Sequence, residues 1–595
     1  MKKFFVCAAL LCVAFVGASA QNFTPVEQLP EASLPFTPDP AWAKVSGVNF
    51  AWGSLDVRYS KTDVPVIQLK KAPKQIAWRG ERVCFQAVAW TAEDLHDVVL
   101  SVSDLKCRKN TIKSSEIKFG FERYVIGDQL GAEDGQRGYF PADMGGFDQS
   151  VRDSVLVSDA IIGCTMAEIE ARTTRPAWFT VWVPQDARPG TYKGTVKLSA
   201  RELKKPLELP YTVEVRDRIL PKPSQWSFHL DLWQNPYAVA RYFGVAPWSE
   251  AHMELMRPFM TQLAQAGEKV VTTTLMWNCW GEQTLDLFET MVQVTVNIDG
   301  TTEYNYDIFD RWVEFMASCG ITEQINCFTI APWRTRLRYY DRASDSQKTI
   351  EFDYGDEVYR SVMIPLLRSF ADHLRTKGWF DKTFLAVDER GVEVMQKVMA
   401  VALEADPGFK FALAGNYHPE VEAQLADYCI GLAVDDDYFI KADGLAINAR
   451  RRSEGKMTTF YTCCGEGHPN TFTISPLAES AVMGWYALSM DYDGYLRWAF
   501  NSWNREPMVD TRWYNLTSGD VFMVYPQGYS SVRWERFVEG IQAYEKVKIL
   551  RSEYARNPEK LKALEAAISR FTHANLWFGG ADKLVNEAKA ELDKF

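Results

Sequence analysis

Two adjacent carboxylates at the end of an apolar run carry the clearest chemical signal in the sequence: Thr383-Phe-Leu-Ala-Val-Asp-Glu389. The run reads as a buried strand whose last residues, Asp388 and Glu389, emerge into a polar place. Two acids this close raise each other's proton affinity and partial burial adds to the effect, so one of them suits proton donation near neutral pH. The plain structural alternative is a strand-end Asp-Glu that caps the next helix and pairs with Arg390. Which reading holds depends on what the rest of the chain gathers around the pair.

The elements that must position it follow from length and pattern. A chain of 595 residues exceeds one core, and two or three domains are expected. The first twenty residues, with Lys2 and Lys3, an apolar stretch over 4–16 and Ala18-Ser-Ala20, read as a cleavable secretory signal. The mature chain is therefore expected to be exported, periplasmic or secreted, with no transmembrane segment. Residues 21–220 are short alternating runs punctuated by turns, such as Arg82-Val-Cys-Phe-Gln-Ala-Val-Ala-Trp90 and Ala177-Trp-Phe-Thr-Val-Trp-Val183, which predict a β-sandwich. A Gly-rich stretch over 131–146 reads as a long loop, and Pro221-Lys-Pro223 as a stiff linker.

Over 221–505 strand-like runs alternate with helical ones, the texture of a parallel α/β fold. Strand candidates at 226–232, 269–277, 322–330, 383–388, 410–414, 429–434, 457–462 and 494–498 suit a (β/α)8 barrel, whose chemistry sits at the C-terminal strand ends. An open doubly wound sheet is the runner-up, but no glycine-rich phosphate loop follows the first strand. Helix-like runs include 249–266, 420–426 and 476–489; past the barrel, 506–595 reads as a strand at 519–525, a long amphipathic helix at 531–553, and two packing helices at 558–570 and 581–594 whose Lys/Glu alternation marks a solvated face. The predicted fold is thus an N-terminal β-sandwich, a TIM-type barrel and a C-terminal helical extension.

The strand ends of that barrel fill with one residue class. They offer Asp231 and Trp233, Trp277 and Asn278, Trp333, the Asp388-Glu389 pair, Asn416, Asp435, Tyr461, and Trp498. Aromatic platforms with amide and carboxylate partners match a pyranose, which has apolar faces and a ring of hydroxyls. Any single Trp among the 20 in the chain is more often packing than ligand. A net charge of -11 argues against nucleic acid as a partner. The seven His form no ligand cluster, so neither metal nor cofactor is implied, and the nine Cys beyond the leader show no disulfide framework.

With the acid pair placed at the end of barrel strand four, the chain resembles glycoside hydrolase family 123, the exo-acting β-N-acetylgalactosaminidases. The likeness runs through the Val183-Pro-x-x-Ala-x-Pro-Gly-x-Tyr-x-Gly194 turn, Leu230-Asp-Leu-Trp-Gln-Asn-Pro236, the Asp-Glu pair, 519–525 and 531–544. The resemblance implies substrate-assisted retaining hydrolysis of a terminal β-linked N-acetylgalactosamine, on a glycolipid or host glycan. Glu389 would be the acid/base, and Asp388 would orient the acetamido group that attacks the anomeric carbon. Spacing agrees, because neighbouring carboxylates cannot flank one sugar ring as a nucleophile and an acid do, about 5 Å or more apart. One difficulty is that strict strand alternation turns Glu389 away from Asp388, unless the strand ends or bulges there.

Two rivals stand beside this reading. In a conventional retaining glycosidase Glu466, just past strand seven, would serve as nucleophile opposite Glu389. In a non-catalytic exported glycan-binding protein the acids would only bond sugar hydroxyls.

Overall fold

The computed structural model describes residue 26 and residues 29–68, 71–128, 154–281, 283–432, 443–513, 516–577 and 579–595. The expected leader, the Gly-rich stretch 131–146 and Asp435 lie outside the described residues. The N-terminal part is two packed sheets. One runs Val48–Gly53, Arg82–Thr91, Thr173–Trp182, Ile117–Asp128, Ser154–Ile161; the other is built on Lys74–Arg79, Leu207–Ile219, Gly190–Ser199, Leu95–Val102 and Thr165–Ile169. Inward residues of both close the core, where Phe85 meets Tyr211 at 4.9 Å and Trp52 meets Phe179 at 5.9 Å, each edge-on.

The second part is a parallel eight-stranded barrel: His229–Leu232, Val270–Thr274, Gln324–Phe328, Thr383–Asp388, Lys410–Gly415, Leu425–Gly431, Met457–Tyr461 and Gly494–Arg497. Seven ladders join neighbours, and the seam between strands one and two is spliced more sparingly. There Lys269 N donates to Leu230 O at 3.0 Å, and Thr272 N to Gln234 Oε1 at 2.9 Å. Alternation sorts each strand. Leu230, Leu385 and Tyr495 pack outward under the helices, while Phe328, Phe384, Ala386, Ala412, Ala414, Cys429, Tyr461 and Leu496 fill the interior with Trp233 and Trp280. Insertions after strands two and three form a separate four-stranded sheet, Thr302–Asn305, Gln293–Val296, Arg336–Asp341 and Ser346–Glu351. The sequence reading did not contain that sheet.

Three local expectations are corrected. Helix over 420–426 shrinks to Pro419–Glu422, because barrel strand six already begins at Leu425. Residues 519–525 are not a strand. Arg533 draws the carbonyls of Gly519 and Phe522 to its guanidinium, and among the described residues only two isolated bridges remain there, Asn501 with Phe522 and Tyr525 with Tyr529. The helix Val532–Glu553 is not amphipathic in the ordinary sense, being buried over most of its circumference. Its polar residues find partners on both domains: Arg533 on Asp159 at 3.0 Å with both side chains fully buried, Lys546 on Glu81 at 3.1 Å, Glu545 on Phe228 N at 2.7 Å. Removing one member of such a buried pair costs about 3–5 kcal/mol. Ser530–Ser531 also adds a short strand beside Ile161 in the N-terminal sheet, so the C-terminal segment ties sandwich and barrel together. Among the described residues no helix is long and apolar enough to cross a membrane.

Candidate active site

Barrel strand four ends at Asp388, and the chain then turns through Glu389 at φ 45°. This left-handed residue removes the alternation difficulty, because the kink at the strand end frees Glu389 from the alternating pattern. The kink is held from strand five: Glu389 N donates to Ala414 O at 2.7 Å, and Gly415, lacking a side chain, lets the Glu389 backbone approach.

Each carboxylate has its own holder. Trp333 Nε1 donates to Asp388 Oδ2 at 2.9 Å, and the Tyr461 hydroxyl donates to Glu389 Oε1 at 2.8 Å. Among the described residues Arg390 closes no ion pair in the manner of a simple cap; its guanidinium lies 4.0 Å from the centre of the Trp333 ring. Trp333 is in turn fixed by its N–H to Cys279 O at 3.1 Å. Burial, and next the Glu389 charge, push Asp388 up to about 7, against the opposing pull of Trp333 and Arg390. Burial, followed by the Glu389 charge, also drives Tyr461 well above the ordinary phenol range, so it remains a donor.

Below the pair the barrel is aromatic. Trp233 lies 5.4 Å from Trp280 and 4.5 Å from Phe328, making an apolar floor at the mouth. Asp231 sits inside the barrel, where Asn326 Nδ2 donates to it at 3.1 Å; burial and then Asp427 push it up to about 7. The remaining rim residues divide. Asn416 is exposed just past Gly415. Trp277 is no open platform, because Arg336 and Arg338 lie over its ring at 4.7 and 5.5 Å. Asn278 is buried at φ 50°, its N–H bonded to Phe288 O, and shapes the loop. Trp498 is partly buried and donates to Asp520 at 3.1 Å. The structure therefore brings Asp388, Glu389, Trp333, Tyr461 and Trp233 to one mouth, packs Trp498 against the same aromatic cluster, and gives Trp277 and Asn278 packing partners instead. Trp280 and Gly415 were not among the expected site residues. Trp280 closes the Trp277-to-Trp280 run at a strand end, so the signal was there; nothing local marks Gly415.

Glu466 is engaged within its own loop. It is buried, 1% exposed, and accepts from Cys463 N at 2.8 Å while Asn470 holds its carbonyl. Its loop is anchored rather than loose.

A family model described as glycoside hydrolase 123, catalytic domain, matches residues 233–550, more than half of the chain. The chain belongs to glycoside hydrolase family 123. The model of the family 123 N-terminal domain matches residues 52–200. A family 123 glycoside hydrolase from Clostridium perfringens, solved in work on glycolipid glycan hydrolysis, aligns with TM-score 0.80 at 25% identity, over 92% of this chain and 97% of that one. Two other likenesses are too weak to bear on this family 123 chain. Bacteroides uniformis β-glucuronidase 3 aligns at TM-score 0.29 and 10% identity, over 84% of this chain and 52% of that one. The GH20 exo-β-N-acetylglucosaminidase of Vibrio harveyi aligns at 0.19 and 8%, over 70% and 82%. A search of curated proteins found no match.

Proposed function

We propose that this family 123 glycoside hydrolase is exported and removes terminal β-linked N-acetylgalactosamine from glycans, with the substrate's own 2-acetamido oxygen as nucleophile. The observation that carries the reading is the pairing of Asp388 with Glu389 at one strand end, each with a separate donor. Neighbouring residues serve two atoms of one substrate and cannot flank its anomeric carbon from opposite faces. Glu389 gives its proton to the leaving glycosidic oxygen as the acetamido carbonyl oxygen attacks the anomeric carbon. The resulting oxazolinium-like intermediate is positive, and ionised Asp388 accepts the acetamido N–H and stabilises that charge. Glu389, now a carboxylate, takes a proton from water, which attacks the same carbon and restores the acetamido group with overall retention. Trp233 and Trp280 supply the apolar floor for a sugar face. The likeness to the Clostridium perfringens enzyme, studied on glycolipid glycans, supports a glycolipid or host glycan as the substrate class.

The test compares an aryl β-N-acetylgalactosaminide with the matching β-galactoside, for the wild type and for Asp388→Asn. Turnover of the acetamido sugar alone, lost by about 10²-fold or more in the variant, is expected. Equal turnover of the plain galactoside would require a protein nucleophile and would overturn the reading. Secretion of a reporter fused behind residues 1–25 tests the export.

A further inference from the structure

The inserted four-stranded sheet flanks the mouth and borders a cavity of about 560 Å³ that the chemistry above does not use. Cross-strand register puts Gln293 and Thr295, Arg338 and Tyr340, and Gln347 on one face of that sheet, and all five line the cavity. On the other face Leu337 is buried in the main core, while the mostly buried Val294 and the partly buried Tyr339 also border the cavity. The opposite wall holds Trp248, whose φ of 65° is a strained conformation for a bulky side chain. The strain is fixed rather than incidental. Trp248 N donates to His252 Nδ1 at 2.9 Å, and the other ring nitrogen of this fully buried His donates to Pro236 O at 2.8 Å. Burial holds His252 down at about 4, so it stays neutral and keeps that acceptor. Tyr237, edge-on to Trp248 at 5.7 Å, completes the aromatic side.

A path connects this cavity to the acid pair. Arg338, bound to both oxygens of Glu289 at 3.1 Å, lines the cavity and also covers Trp277. Trp277 opens the loop whose Cys279 carbonyl fixes Trp333, the holder of Asp388. Amide and hydroxyl groups on a rigid strand face opposite an indole are the recognition chemistry of a sugar ring with its hydroxyls.

We infer that the cavity between the inserted sheet and Trp248 is a distal subsite for inner, neutral sugars of the glycan whose terminal residue occupies the mouth. This rests on the proposed glycosidase reading and names the substrate class more closely: oligosaccharide chains of three or more sugars. Binding energy gained there, away from the cleaved bond, favours long glycans over short glycosides.

The test is the double variant Gln293→Ala/Gln347→Ala, whose changes fall on exposed strand positions and whose melting temperature reports folding. An aryl β-N-acetylgalactosaminide and a tetrasaccharide with the same terminal sugar are assayed side by side. The expected result is a KM at least fivefold higher for the tetrasaccharide, with aryl turnover within twofold of wild type. An unchanged tetrasaccharide KM, or an equal loss on both substrates, overturns the subsite. If the wild type turns over neither substrate, the fault lies with the proposed function. Saturation-transfer NMR of the trisaccharide lacking the terminal sugar then decides the subsite alone: signal in the wild type that is lost in the variant supports it, and the same signal in both, or none in the wild type, overturns it.

Discussion

Tyr461, at the end of barrel strand seven, donates to Glu389 at the end of strand four across 2.8 Å, so the carboxylate proposed as acid/base is positioned from another part of the barrel wall. A hydrogen bond to a charged group is worth about 1.5–3 kcal/mol. Tyr461→Phe keeps the ring packing and removes that donor alone. Its kcat on an aryl β-N-acetylgalactosaminide should fall about 10- to 100-fold, with KM within about threefold. A variant with wild-type kcat would show that the contact does not position the acid.

The pair also sets a pH limit. Asp388 is pushed from 3.8 up to about 7 by burial and then by the negative charge of Glu389. The proposed mechanism uses Asp388 as a carboxylate, so this proton must leave before the acetamido N–H can be held and the positive intermediate stabilised. The kcat/KM profile should therefore rise with pH on its acid side, with an apparent pKa within about one unit of 7. A profile flat from about pH 5 to about pH 8 would exclude the ionisation of a buried Asp388 from the mechanism.

The same shift bears on stability, in the direction opposite to a salt-bridged acid. The folded-state value lies above the unfolded 3.8, so the folded chain holds this proton more tightly. Folding is then penalised increasingly as pH rises from about 4 to about 7, and fully above that. Asp388→Asn removes the penalty while its side-chain oxygen still accepts from Trp333. The shift corresponds to about 4 kcal/mol, and we halve it because Asp388 retains some solvent contact. Calorimetry at pH 8 should find the inactive variant about 2 kcal/mol more stable than the wild type, with no gain at pH 4. An equal or lower melting temperature at pH 8 would contradict the burial argument.

Legibility followed locality. Strand four was readable to the residue because a continuous apolar run ends in two acids, and the eight barrel strands were found because parallel strands buried on both faces leave such runs. The inserted sheet was missed since its strands are short: Gln293–Val296 alternates over only four residues, and Ser346–Glu351 carries a single apolar side chain. The aromatic rim overreached for the reason that a Trp at a strand end says nothing of what covers it: Trp277 lies under two arginines drawn from the inserted sheet. The helix Val532–Glu553 read as amphipathic because its many charged residues suggest a polar face. Partners as distant in sequence as Glu81 and Asp159 leave no local trace.

Gly415 shows the same limit and offers a clean test. A Cβ there would stand 3.2 Å from Glu389 Cα and 3.6 Å from its nitrogen. Glu389 cannot simply retreat, since its N–H is bonded to Ala414 O at 2.7 Å and its φ of 45° already lies in a narrow well. Gly415→Ala should therefore push the acid a few tenths of an ångström out of register with Tyr461, while the surrounding strand, all backbone bonds intact, holds. Since misplacement of about 1 Å costs on the order of 10²-fold, a drop in kcat of about tenfold is expected, with the melting temperature within about 2 °C of wild type. Loss of activity in step with loss of stability would mean that the strand itself is disrupted. Unchanged kcat would mean that the close approach of Gly415 to Glu389 does not set the position of the acid.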